Sequence, residues 1–260
     1  VFQVDQYAYS NNLRRVHPGE KVAYALITMI ICMAAPGILV PLLVMLLMAA
    51  TVILRAGIPA RIYVKLLCVP LGFLLAGALT VALTVSRVPD PAVHGLTFYG
   101  FTVGVTVPGL QRAGFLLVKS LGAVSCLYFL SLTTPVVEII SVLRRLRVPA
   151  VFIELMGLIY RFIFVIMDTA EKMYVSQSSR WGYASLKTAY NSLGQLVSNL
   201  FIKSYYRSQA LFTTLMARGY TGEIRVLERP FPLSKKNLAL IALVDVLLVV
   251  LALVTWRWPL

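Results

Sequence analysis

Apolar residues dominate the chain in long runs, and the runs differ in kind. Residues 22–54 contain no charged side chain, and Pro36-Gly37 interrupts them. That pair turns or kinks a chain, so the run reads as one kinked span or, preferably, a tight hairpin of two. Residues 62–85 form a further apolar run; at ~1.5 Å per residue it reaches about 36 Å, enough to cross a bilayer. Residues 112–134 and 238–255 make two more, and Trp256 and Trp258 mark an interfacial belt. HGLTFYGFTVGVTVPGL (94–110) alternates glycine, threonine, valine and aromatics, which predicts a short β-hairpin.

Between 135 and 235 the pattern changes from uniformly apolar to amphipathic. PVVEIISVLRRLRVP (135–149) sets Val136, Ile139, Ile140 and Leu143 on one helical face, with Glu138, Ser141, Arg144 and Arg145 on the other. Residues 154–180 begin apolar and end polar, as a helix leaving a membrane would. Leu186, Tyr190, Leu193, Val197, Leu200 and Ser204 recur at alternating four- and three-residue steps. They predict one long helix over about 186–218 with a narrow apolar stripe. The expected organisation is an N-terminal transmembrane region (1–134, four spans), a cytoplasmic helical segment (135–235) and a C-terminal span (236–260), all-α and integral to the membrane.

Composition agrees with this class. Of 260 residues, 59% are hydrophobic and 13% charged, and mean hydropathy is +0.83; soluble domains carry about 25% charged residues. Lysine and arginine outnumber acidic residues 24 to 10, a net charge of +14. With no soluble basic domain, the partners this implies are anionic lipid headgroups or acidic protein surfaces, not nucleic acid. Basic residues cluster before the first run (Arg14, Arg15, Lys21), around Arg55, Arg61 and Lys65, and between Arg144 and Lys236. About five crossings with the N-terminus in the cytoplasm put all three clusters inside. The chain is then a multi-pass protein of a bacterial inner membrane. The basic start does not read as a signal peptide, because no small-residue cleavage site follows.

Two short stretches in the amphipathic segment repeat one idea: SSRWGY (178–183) and MARGY (216–220) each place an arginine ahead of a glycine and a tyrosine. Gly182 and Gly219 are the expected left-handed caps, so Arg180 and Arg218 fall in the last helical turns, where unpaired carbonyls favour a cation by ~0.3–1 kcal/mol. From Arg180 to Gly222 there is no Asp or Glu. Two guanidiniums on rigid posts suit insertion into two acidic clefts through fork-shaped, charge-assisted bonds.

With these residues the chain resembles the transmembrane T component of energy-coupling factor importers, in the cobalt/nickel branch (the Q-type subunit). DQYAYSNNLRRVHPGEK (5–21), LTTPVVEIISVLRRLRVP (132–149) and YRFIFVIMDTAEKM (160–173) resemble family segments, and SSRWGY and MARGY resemble its paired arginine motifs. The first copy departs from the family's Ala-Arg-Gly form, carrying Ser179 and Trp181 where the second carries Ala217 and Gly219. The resemblance implies a non-catalytic scaffold. Ser179, Arg180, Trp181, Ala217, Arg218 and Gly219 would contact two cytoplasmic ATP-binding-cassette ATPases. Those partners would hold ATP and magnesium, and a separate membrane substrate-binding subunit would carry cobalt or nickel. Alternatives of substrate and class are a vitamin-serving T component, a membrane-embedded lipid-modifying enzyme using Asp168 and Glu171, and a self-sufficient ion channel.

Other chemistry is sparse. His17 and His94 fall on opposite sides of the expected topology and cannot share a metal, and Cys32, Cys68 and Cys126 lie singly in apolar runs. No phosphate loop or metal-protease motif is present, so ATP chemistry must lie in other chains and no cofactor is expected in this one. Lys119 and Asp245 each interrupt an apolar run. Intramembrane ions are functional candidates; these two are expected to pair with each other, to face a neighbouring subunit, or, for Lys119, to snorkel.

Overall fold

The computed structural model describes residues 2–86, 94–98, 101–220 and 234–257. The chain divides into two compact units, one of Val1–Ile139 with Pro230–Leu260 and one of Ile140–Arg229.

In the first unit, α1 (Phe2–Ser10) and a 3₁₀ turn (Asn12–Arg15) lead to α2 (Pro18–Ala34). The start of α2 is set locally. Pro18 occupies the first turn, where its missing N–H costs nothing, and His17 Nδ1 accepts from Gly19 N at 3.0 Å. The uncharged 22–54 run forms two helices, α2 and α3 (Leu39–Ala50), and α3 continues as a π turn over Thr51–Arg55. Next come α4 (Ala60–Ala82) and three strands, β1 (Leu83–Ser86), β2 (His94–Phe98) and β3 (Phe101–Val105). The sheet order is β1-β3-β2, both pairings antiparallel, with Leu96 opposite Val103. Its β2–β3 hairpin falls in the stretch where alternation predicts one. Then follow α5 (Val107–Thr133), whose N-cap Thr106 accepts from Gly109 N, and α9 (Lys235–Arg257) after the second unit.

Helix α5 is the axis of this unit, packing against α1, α2, α3 and α4. Small residues make that possible: a Cβ on Gly122 would sit 2.8 Å from Cys32 Sγ and 3.0 Å from the Pro41 carbonyl. Cys32, Val44, Met48, Cys126, Phe129 and Leu132 fill the core, with Tyr24 and Phe129 edge to face at 5.3 Å. Large apolar side chains on the outside are bare, Phe73 being 82% exposed. A soluble protein does not leave such a surface wet; here it faces lipid.

Among the described residues, four helices are long and apolar enough to cross a membrane: Ala60–Ala82, Val107–Thr133, Ala150–Ser178 and Lys235–Thr255. The protein is therefore an all-α multi-pass membrane protein with one small sheet. The set differs from the sequence expectation in two places. Helix α2 has 17 residues, which at ~1.5 Å each span about 26 Å, short of a ~30 Å hydrocarbon core. The Ala150–Ser178 helix, expected in a cytoplasmic segment, also meets the criterion of length and composition, although it carries Glu154 and Arg161 ahead of its polar C-terminal end.

The second unit is built from α6 (Val136–Arg145, which enters it from the first), α7 (Ala150–Ser178) and α8 (Leu186–Ala217). Helix α8 opens with a Ser185/Thr188 capping box, which satisfies orphan N–H groups reciprocally, and α7 packs along it.

Candidate functional site: twin arginine helix ends

Both arginine motifs end a helix with the same backbone bonds. At the end of α7, Trp181 N donates to Ser178 O at 3.1 Å and Gly182 N to Gln177 O at 2.9 Å. At the end of α8, Gly219 N donates to Met216 O at 3.1 Å and Tyr220 N to Leu215 O at 3.0 Å. Each pair is a Schellman motif, one bond reaching three residues back and the next reaching five. In each, the arginine directly precedes a left-handed residue: φ is +60° at Trp181 and +74° at Gly219.

This corrects one expectation. Gly219 is the left-handed cap of its motif, but in the other copy Trp181 takes that role and Gly182 does not. Trp181 thus stands where Gly219 stands in conformation as well as in sequence. A non-glycine residue there costs ~1–2 kcal/mol, and the Trp181 ring, 81% exposed, recovers little of it by packing. Gly182 answers a different demand. A Cβ on it would lie 2.8 Å from both Gln177 O and Ser192 Oγ, so the glycine permits a close approach to α8.

Each end is braced to the other helix. Ser192 Oγ donates to Gly182 O at 2.9 Å, Gln177 Nε2 donates to Ser192 O at 3.0 Å, and Tyr183 Oη donates to Gln177 Oε1 at 2.8 Å. At the second end, Tyr220 Oη donates to Glu154 Oε2, in the first turns of α7, at 2.6 Å. That bond favours the protonated phenol, so Tyr220 is held above its ordinary range. The tyrosines behind the two glycines therefore fix the posts. Ser179, Arg180, Ala217 and Arg218 are all exposed, and among the described residues neither arginine forms an ion pair.

Arginine also marks the end of α6, which sequence reasoning missed. Arg147 N donates to Arg144 O and Val148 N to Leu143 O, with Arg147 itself at φ +63°. The signal was the RRLRVP run, but without a glycine nothing in it announced a left-handed cap.

The intramembrane ions do not pair with each other. Lys119 Nζ donates to Ala35 O, at the end of α2, at 3.2 Å and lies 5.1 Å from the centre of the Phe115 ring. Asp245, buried, accepts from Thr28 Oγ1 on α2 at 3.1 Å. Of the alternatives open to them, mutual pairing is not made: Lys119 bonds the cap of α2 and Asp245 a threonine on it.

A polar cluster that the sequence did not announce surrounds the start of α2. Lys21, only 3% exposed, donates to Thr133 O at 3.0 Å and pairs with Glu138 at 3.4 Å. Glu20, 2% exposed, accepts from Ser234 N at 2.9 Å and Asn237 Nδ2 at 3.2 Å. Asn11 Nδ2 donates to the carbonyls of Leu132 and Thr133, both at 3.3 Å. Adjacent, oppositely charged residues thus hold the start of α6 and the start of α9. Among the described residues no group of three or more His, Cys, Asp or Glu side chains could hold a metal.

Comparison with known proteins identifies the family. The family model described as "CbiQ: Cobalt transport protein" matches residues 9–228. The chain is 35% identical to the uncharacterized protein MJ1089 of Methanocaldococcus jannaschii, over 97% of this chain and 93% of that one. It is 29% identical to the cobalt transport protein CbiQ of Salmonella typhimurium, over 86% of this chain and 99% of that one. A more distant similarity, 24% over 51% of each chain, is to the energy-coupling factor transporter transmembrane protein EcfT of Staphylococcus aureus. Multi-pass, apolar on its outside and matched from residue 9 to residue 228, the chain belongs to the cobalt transport protein CbiQ family, the transmembrane components of importers of the energy-coupling factor type.

Proposed function

We propose that the chain is the scaffold of an ATP-driven cobalt importer and that Arg180 and Arg218 are its two grips on a pair of cytoplasmic ATPases. The observation that carries this reading is the shared backbone geometry of two exposed arginine posts, each braced by a tyrosine and neither paired among the described residues. A guanidinium held this way needs little further ordering before it meets a carboxylate, so more of the charge-assisted bond energy appears as affinity. When the ATPases close on ATP, the posts would be drawn together or apart. Helices α7 and α8 would carry that movement to a separate membrane subunit that captures the ion.

The apolar stripe of α8 supports a further protein contact. Leu186, Tyr190, Leu193 and Val197 are all exposed, a row suited to an apolar partner helix. The chain's own role is non-catalytic, with ATP and magnesium held by the ATPases and cobalt (or nickel) by the substrate-binding subunit. The N-terminus and the arginine posts lie on the cytoplasmic side.

The test is co-purification with the ATPases from cells expressing the whole transporter, together with metal uptake. Arg180→Ala and Arg218→Ala each weaken ATPase retention and the double variant abolishes uptake. Unchanged assembly and uptake in the double variant would sink the proposal.

A further inference from the structure

One dipeptide of α2 holds the chain on both sides of the second unit. That unit runs from Ile140 to Arg229. Glu138 stands just ahead of it and Ser234 shortly after it, both within the first unit, and their partners are the adjacent Lys21 and Glu20.

On the outgoing side, α5 ends at Thr133 and α6 begins at Val136. Thr134 is extended, with φ −128° and ψ 113°, as the residue before a proline is driven to be. Pro135 therefore prevents one continuous helix, and Lys21 bridges the break. Its ammonium donates to Thr133 O on one side at 3.0 Å and meets Glu138 Oε2 on the other at 3.4 Å. On the returning side, Glu20 accepts from Ser234 N at 2.9 Å, one residue before α9, and from Asn237 Nδ2 at 3.2 Å, in its first turn. Each charge complements the helix end it meets: the ammonium lies at the C-terminus of α5 and the carboxylate at the N-terminus of α9.

Stability alone is a poor reason for this arrangement. Glu20 and Lys21 are 2% and 3% exposed, and buried charged pairs stabilise no better than apolar contacts of similar volume. What they add is direction. Apolar contact is non-directional, so helices held by it alone slide with little penalty, whereas a charge-assisted hydrogen bond weakens steeply when its geometry is lost.

We infer that Glu20 and Lys21 are positioning residues for transport, which lock the start of α6 and the start of α9 to α2, so that a pull on the second unit moves α2 and is not absorbed at those two places. This rests on the coupling role proposed above, in which the second unit carries the arginine posts. Without the pair the ATPases are still gripped and still hydrolyse ATP, but their stroke no longer reaches the first unit.

The experiment uses the whole transporter in proteoliposomes, with ATPase retention, ATP hydrolysis and cobalt(II) uptake read on the same preparations. Glu20→Gln and Lys21→Met are compared with Met48→Ala, which opens a cavity in the apolar core of the same unit and touches neither place. Both charge variants should keep the ATPases and hydrolyse ATP within about two-fold of the unaltered protein, while cobalt carried per ATP falls about ten-fold. Met48→Ala should lower the melting temperature and leave cobalt per ATP unchanged. Glu138→Gln leaves Lys21 its bond to Thr133 and should show a smaller loss in the same direction, which keeps the outgoing side testable if Lys21→Met does not assemble. Unchanged cobalt per ATP in Glu20→Gln and Glu138→Gln overturns the inference. So does an equal loss in Met48→Ala, which reduces the pair to support of the fold, and so does loss of the ATPases from the charge variants, which makes it a determinant of assembly. The coupling role fails separately, if Arg180→Ala/Arg218→Ala keeps its ATPases. If that variant loses them while Glu20→Gln and Lys21→Met carry cobalt normally, only the joint at α2 is refuted.

Discussion

Replacing Trp181 with glycine should stabilise the end of α7. The residue sits at φ +60°, where an L side chain costs ~1–2 kcal/mol. Glycine removes that cost but adds unfolded-state entropy worth ~0.4–1 kcal/mol. The ring is 81% exposed, so little packing is lost, and the net gain is about 0.5–1 kcal/mol. Hydrogen exchange reads the change directly, because the amides of residues 181 and 182 close the Schellman bonds to Ser178 and Gln177. A gain of that size slows their local opening about two- to five-fold. The matched control is Gly219→Ala at the other end. A Cβ there meets nothing within 4 Å, so only the left-handed backbone, at φ +74°, is penalised. Exchange at residues 219 and 220 should accelerate by a factor similar to the slowing at 181 and 182. If Trp181→Gly leaves exchange unchanged or hastens it, the account of Trp181 as a strained cap is wrong.

Three further outcomes follow from contacts of different kinds. Gly182→Ala, by driving a Cβ against Gln177 O and Ser192 Oγ, should cost ~1–3 kcal/mol and speed exchange at both residue 182 and the first turns of α8; an effect confined to residue 182 would refute the close-approach argument. Lys21→Met keeps the aliphatic stem but removes the buried ion pair with Glu138 and the ammonium bond to the Thr133 carbonyl. It should lower unfolding stability in mixed micelles by about 3 kcal/mol, the low end for a broken buried pair because Glu138 keeps some solvent contact, and a loss below 1 kcal/mol would contradict it. Tyr220 has its phenol pKa raised by the bond to Glu154. Its stabilising share is therefore complete below the ordinary tyrosine pKa and fades as pH rises through the raised one. In the absorbance titration, Tyr220→Phe should remove a late-titrating phenol, whereas an early-titrating one would show that the bond is not made.

How much of this was legible in the sequence depended on whether the cause was local. The apolar runs announced α4, α5 and α9, since a span needs only length and hydropathy. The alternation in 94–110 announced the β2–β3 pairing, and the four- and three-residue steps announced α8. The twin motifs announced two arginine helix ends for the same reason: a helix terminus is set by the few residues around it. What failed was settled by residues far away in the chain. Glycine is the usual left-handed cap, and sequence offered one at 182. The close approach of Ser192 uses that glycine for space, leaving the left-handed turn to Trp181. For Lys119 and Asp245 the sequence left mutual pairing, a neighbouring subunit and snorkelling open, because an ion in an apolar run does not name its partner. The structure satisfies each on α2, through a carbonyl and a threonine hydroxyl, and neither acceptor carries a signature. Lys21 counted in the sequence only as one of the basic residues before the first run, and Glu20 carried no signal, since their partners Glu138 and Ser234 lie more than a hundred residues away.

The two motifs are therefore the same object at the level of the backbone and different objects at the level of residue type. If the glycine were the essential feature, Gly182 and Gly219 would occupy equivalent places, and they do not. What both copies preserve is an arginine immediately before a left-handed residue and a tyrosine hydrogen bond behind it, with the helix end sealed by bonds to the third and fifth residues back. On the proposed coupling role, keeping that geometry in both copies while accepting a strained tryptophan at one end would follow from a need to fix the position and direction of the guanidinium. The strain at Trp181 is then a local cost borne where an 81% exposed indole stands beside Arg180. A partner surface meeting the first post would meet that ring as well, whereas at Arg218 it would meet bare backbone. Two ATPase contacts built on one backbone plan would therefore differ in chemistry, the first aromatic and the second not. In Trp181→Gly, the first contact should weaken even as its helix end becomes more stable. A variant that loses ATPase retention while gaining exchange protection would separate those two roles of Trp181. One that gains both would show that the indole serves only the fold.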